Sequence, residues 1–147
     1  MKRKIVSKLH LLTLVCMILA SCAHVTLIAS HDERIEKGIT ELQKETTTFF
    51  VNIERQGGSS KEDYSKYTDF YDKAKVATKS LFIRAGATAQ NKLTEQQIKL
   101  LMEKYAKLEE QHKTTGLTPY TLAPLESSFD DIFRAILTLE VAKKDLK

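Results

Sequence analysis

Apolar and neutral residues recur through most of the chain at alternating steps of four and three, a spacing that keeps one stripe of a helix turned toward a partner. The first stripe runs Ile35, Ile39, Leu42, Thr46, Phe49 and Ile53. Ser30 with Glu33 predicts a capping box at its start, and Gln56-Gly57-Gly58 predicts its end. The stretch Thr46 to Ile53 (TTTFFVNI) reads as a strand by propensity alone. The unbroken spacing predicts helix instead, because propensity is the weaker signal. A second helix is expected to be capped by Ser59 or Ser60 and to run from Glu62 to about Ala85, with Tyr64, Tyr67, Tyr71, Ala74, Thr78, Leu81 and Ala85 on one side, until Gly86 stops it. Thr94 and Gln97 form another predicted capping box, opening a third helix with the stripe Ile98, Leu101, Tyr105, Leu108 and His112 and a stop at Gly116. The fourth is predicted from near Pro124, a residue suited to a first turn, and carries Leu125, Phe129, Ile132, Ile136, Leu139 and Leu146. Its acids lie early (Glu126, Asp130, Asp131) and its lysines late (Lys143, Lys144, Lys147), which complements the helix dipole.

Four such helices bury their stripes most simply as an all-α, antiparallel, up-down-up-down four-helix bundle. The predicted connections, Gly57 to Ser60, Gly86 to Leu93 and Thr115 to Ala123, suit links between neighbouring helices. Neither a sheet nor a second domain is expected.

The start of the chain follows another pattern. Lys2, Arg3, Lys4 and Lys8 precede an apolar run from Leu9 to Leu19, and small Ala20 and Ser21 stand just before Cys22. Leu19-Ala20-Ser21-Cys22 resembles the lipobox of bacterial lipoproteins, a likeness that covers about the first 22 residues. The resemblance implies that the Cys22 thiol receives a diacylglyceryl group, that a peptidase cuts before it, and that the freed amine is often acylated too, palmitate being a typical chain. The expected division is then 1–21 signal peptide, 22–30 lipidated N-terminus and short linker, and 31–147 bundle domain. The competing reading is an uncleaved helix from Leu9 to Ala29, long enough to span a bilayer but interrupted by Ser21-Cys22 and His24. In layout the rest is similar to small helical lipoproteins of Gram-negative bacteria, which implies no activity. There, a residue other than aspartate after the cysteine, here Ala23, implies transfer to the outer membrane, facing the periplasm.

Processing changes the charge. The chain has 23 Lys and Arg against 19 Asp and Glu; removing Lys2, Arg3, Lys4 and Lys8 with the signal leaves 19 of each. A neutral domain lacks the electrostatic footprint of nucleic-acid binding, so that partner class is set aside. Cys16 would leave with the signal and Cys22 would be lipidated, so stability is expected from packing and not from a disulfide.

An anchor ahead of the first helix also orients the bundle. If that helix points away from the membrane, Gly57-Gly58 and the loop from Gly116 to Tyr120 share the distal tip. The Gly86 to Leu93 connection and the C-terminus then return toward the lipid. Tyr120 and Pro119 are candidate partner contacts at the tip. Tyr64 and Tyr67, with Phe70 and Tyr71, concentrate amphipathic rings of the kind enriched at binding surfaces. The same rings would also serve as core walls whose hydroxyls reach the rim, the favoured reading. Arg84, Lys92, Lys143, Lys144 and Lys147 gather at the membrane-proximal end, where Lys143, Lys144 and Lys147 are candidate contacts to anionic headgroups.

Chemistry has little foothold. Glu109-x-x-His112 matches half of a di-iron bundle motif, but no second Glu-x-x-His occurs, so no metal is expected and His112 is read as a polar residue at a fraying helix end. No Cys-x-x-Cys-His is present to hold haem, and no cofactor is expected. The expectation is a membrane-tethered, noncatalytic protein that binds an envelope protein partner or helps organise the envelope. The alternative is a small-molecule or lipid-binding bundle, its ligand lying between helices lined by Phe49, Phe50, Phe70, Phe82, Phe129 and Phe133.

Overall fold

The computed structural model describes residues 28–146, so the predicted signal, Cys22, most of the linker and Lys147 lie outside the described residues. Helix α1 spans Glu33–Arg55; a short 3-10 segment, Lys61–Tyr67, leads into α2, Thr68–Gly86; α3 spans Lys92–Thr114 and α4 Pro119–Ala142. Each helix packs on its neighbours in sequence and α4 closes the ring on α1, giving the antiparallel up-down-up-down bundle. All four share one core.

The stripes of α1 and α3 are buried as their spacing predicts, from Ile35 to Ile53 and from Ile98 to His112. TTTFFVNI is helical throughout. Its Thr46 hydroxyl bonds the Leu42 carbonyl oxygen at 2.7 Å and meets the Tyr105 hydroxyl on α3, so a β-branched polar residue is accommodated inside the bundle. Gly38, on α1, faces α2 so closely that an added Cβ would lie 2.8 Å from Leu81 Cδ2.

The helix starts differ from expectation. Asp32 rather than Ser30 caps α1, its carboxylate accepting from the Arg34 and Ile35 N–H groups at 3.0 and 3.4 Å. The second segment opens at Lys61 as a 3-10 turn under a Ser60–Asp63 capping box, and turns α-helical only at Thr68. Thr94 is not a cap: α3 begins two residues earlier, and the Thr94 hydroxyl is turned inward to Glu140. Helix α4 begins at Pro119, not near Pro124, with Thr118 and Thr121 capping reciprocally. Its inward stripe is consequently Leu122, Phe129, Phe133, Ile136 and Glu140, whereas Leu146 lies beyond the helix and is exposed.

Two loops meet at the distal end. The Ser59 N–H donates to the Leu117 oxygen at 2.8 Å, and the Leu117 N–H donates back to Ser59 at 2.7 Å. Gly58 (φ +112°) and Gly116 (φ +79°) make this crossing possible. A Cβ on either would sit 2.7 Å from a carbonyl oxygen of the opposite loop, in backbone conformations that side chains resist.

Candidate functional site

Apart from Thr46 and Thr78, whose hydroxyls bond carbonyls one turn back, the buried polar side chains gather at the two ends of the bundle. At the distal end His112, in the last turn of α3, is fully buried instead of fraying. Its Nε2 pairs with the Ser59 hydroxyl and its Nδ1 with the Tyr71 hydroxyl, both at 2.8 Å. A neutral imidazole offers one donor and one acceptor, and a hydroxyl can serve either. Phe49, Tyr64, Tyr67 and Tyr71 wall the ring in, with centroids 5.3 to 6.3 Å away. Burial holds His112 below its ordinary pKa, with the charge of Asp63 acting against that shift. Burial also pushes the Tyr71 hydroxyl well above its usual range.

A serine hydroxyl on an imidazole is the geometry of an activated nucleophile. Here the imidazole is enclosed, and the Ser59 backbone N–H and C=O are both engaged with Leu117. The cluster therefore locks both distal loops onto α3. Glu109 lies outside it: its carboxylate accepts from the Tyr64 hydroxyl at 2.7 Å and Lys113 Nζ at 2.8 Å, with Lys75 at 3.6 Å. Burial pushes Glu109 up, but these partners outweigh it and hold the carboxyl below its ordinary value. No three metal-ligating side chains converge among the described residues.

The tyrosines divide as the core reading expects. Tyr71 is buried, while Tyr64 and Tyr67 are half-buried with hydroxyls reaching Glu109 and Gln56 at the rim. Tyr120 stands in the first turn of α4 rather than in a loop, 93% exposed, beside Pro119 at the helix start. Between α1 and α2 runs a groove of about 500 Å³. Phe70 and Phe49 stack along it at 4.1 Å, and Lys44, Glu45, Asp69 and Lys73 edge it.

The basal end holds an ion pair that sequence reasoning missed. Glu140 and Lys143 are buried against each other. Lys143 Nζ also donates to Asn91 Oδ1 at 2.6 Å and Thr94 Oγ1 at 2.7 Å, and the Asp32 N–H donates to Glu140 Oε2 at 3.3 Å. Arg84 Nε donates to Asp32 Oδ2 at 2.7 Å, so residues of all four helices are joined. Burial raises Asp32, but the bond and charge of Arg84 together with the Arg34 and Ile35 N–H groups outweigh it and keep the carboxyl below its usual range. Lys143 is thus withdrawn from any headgroup, contrary to the sequence expectation, because its ammonium completes the coordination of a buried carboxylate. Among the described residues the rest of the basic set is charge-matched: Lys144 meets Glu36 at 2.8 Å, and Lys92 meets Glu95 at 2.9 Å. The signal that pointed to the pair was the spacing itself, since Phe129, Phe133, Ile136 and Glu140 continue one stripe and Lys143 follows three residues on.

No family of known proteins, no characterised relative and no solved structure matches this chain.

Proposed function

We propose that this chain is a lipid-anchored, noncatalytic module of the cell envelope whose bundle binds a protein partner or helps organise the envelope. The observation that carries the reading is Leu19-Ala20-Ser21-Cys22, closing a secretory signal a few residues ahead of the bundle. Cys22 becomes the acylated first residue, and two or more acyl chains hold a protein stably where one does not. With Ala23 next, the destination is the outer membrane, facing the periplasm. Among the described residues no helix is long and apolar enough to cross a membrane, and Ala29 is packed at the bundle base with its N–H on the Gln90 oxygen at 3.2 Å. Tyr120 then stands at the far end, roughly 35 Å away along α1 at 1.5 Å per residue. The groove over Phe49 and Phe70 favours the second reading, a small-molecule or lipid-binding bundle. Phe50, Phe129 and Phe133 pack on one another and fill the core instead of lining a cavity.

Metabolic labelling with a palmitate analogue should mark the wild type, and Cys22→Ser should abolish both label and cleavage. A variant that is still cut and released would refute the anchor. Crosslinking from native membranes should capture an envelope protein, and Tyr120→Ala should weaken that capture without changing thermal stability, since its side chain is almost wholly exposed. Unchanged capture removes the tip as the contact.

A further inference from the structure

We infer that the basal end of the bundle is itself a membrane-contact face, seated in the interfacial layer of the bilayer through Ile28, Leu93, Val141 and Leu146. This inference rests on the lipid-anchor reading and goes beyond it, because an anchor alone would allow the bundle to hang free on its linker. Large apolar side chains that face solvent are concentrated at this end. Ile28 lies at the entry to the bundle, Ile83 in the last turn of α2, Leu93 in the first turn of α3, Val141 at the end of α4 and Leu146 just beyond it. At the distal end the exposed large apolar residues are Val51 and Tyr120, and Val76 and Leu100 lie singly partway along α2 and α3. The basal residues come from four separate stretches of chain that only the topology brings to one end. Concentrated exposed apolar surface of this kind marks contact with a membrane or a protein.

Two observations select the bilayer. Five residues lie between Cys22 and Ile28, a reach of about 20 Å at most, and the Ala29 N–H fixes the chain to Gln90 at this same end. The surface that meets the lipid first is therefore the one carrying these side chains. Ile28, Leu93 and Leu139 also border a recess of about 290 Å³ at this end, which they share with Asn91, Lys92 and Lys143. Charge contributes little to the attraction. Arg84, Lys92, Lys143 and Lys144 each meet a carboxylate, so the contact is apolar and does not require anionic lipid.

The test uses the full-length, processed protein in vesicles of neutral phosphatidylcholine, with no other protein present. Cys16 leaves with the signal and the Cys22 sulfur is a thioether, so an introduced cysteine is the sole thiol for an environment-sensitive fluorophore. Labels at Lys92→Cys and Asp145→Cys should shift to the blue and be quenched by nitroxide-bearing lipid, and a label at Tyr120→Cys should do neither. Replacing Ile28, Leu93 and Leu146 by Ser, all at exposed positions, should abolish quenching at 145 while palmitate labelling and the helical circular dichroism persist. If labels at 92 and 145 stay as water-exposed as at 120 in protein that carries the acyl label, the basal face does not touch the membrane. Quenching confined to vesicles with anionic lipid would overturn the apolar contact. Absence of the acyl label, scored before the vesicle experiment, would refute the anchor reading and this inference with it.

Discussion

Removing Lys143 from the basal end should be among the most damaging single changes in this domain. In Lys143→Met the hydrocarbon stem is retained in volume, but Glu140, fully buried, loses its counter-ion, and Asn91 Oδ1 and Thr94 Oγ1 lose a donor. The carboxylate keeps the Thr94 hydroxyl at 3.0 Å and the Asp32 N–H at 3.3 Å, with the His31 ring at 3.8 Å, beyond hydrogen-bond distance, too little to replace an ammonium in direct contact. Breaking a buried pair by taking one partner costs about 3 to 5 kcal/mol, against a total stability for a domain of about 5 to 15 kcal/mol. The pair's own net worth is a separate quantity, since apolar replacement of both partners often costs nothing. Glu140→Met combined with Lys143→Met should therefore lose less than the sum of the two single losses, while the Asp32 N–H, Asn91 Oδ1 and Thr94 hydroxyl left without these partners, at about 1 to 3 kcal/mol for each such group that stays dry, hold it below wild type. Urea denaturation followed by far-ultraviolet circular dichroism measures both, with an unchanged slope showing that stability and not compactness has moved. A loss under about 0.5 kcal/mol in Lys143→Met, the range of surface substitutions, would show that the pair is not buried as described. A double variant whose loss equals the sum of the two single losses would show that Glu140 and Lys143 are not coupled.

The distal end should respond to pH. The folded chain holds His112 below its ordinary value of about 6.5, so its contribution is complete above that value and is lost as pH falls through it toward the folded value. The urea midpoint of wild type should therefore drop more on acidification through that window than that of His112→Gln, and parallel curves would refute the assignment. Gly116→Ala should lose about 2 kcal/mol or more, from its positive φ and the approach of a Cβ to Ser59, and a loss below ~0.5 kcal/mol would mean that the loop crossing is not fixed.

The helices were legible where one face alone decides the pattern. Every residue of the predicted stripes of α1 and α3 is buried, with Phe50 and Thr94 buried in addition, since most of these positions are apolar. Helix α4 was misread at its start because two prolines compete for one role. Pro119 takes the first turn, and Pro124 is tolerated inside the helix, where the carbonyl it leaves without a donor is that of Tyr120, on an exposed turn within reach of water. Thr94 looked like a cap because its hydroxyl can satisfy a helix end, and the structure gives that hydroxyl to Glu140 instead. The polar clusters were the least legible part. Ser59 lies 53 positions from His112, and Asp32 lies 108 from Glu140, and no local spacing reports such a meeting. What the sequence did carry was the inward register of His112 and Glu140, which demanded partners without naming them.

Because both ends of the described chain emerge at the base, with Lys144 on Glu36 and the Asp32 N–H on Glu140, the bundle has a directional mechanical response. Tension applied between the N-terminal anchor and a partner gripping Tyr120 runs along the helix axes. It loads the α1–α4 interface in shear, where many side-chain contacts must slip together. Tension between the two ends of the chain peels α4 from α1 one turn at a time, beginning at those few basal bonds. On the proposed anchor reading, a partner drawn away from the membrane would pull on this protein in its stronger direction, and a single-molecule stretching experiment should record a higher unfolding force from position 120 than from the C-terminus.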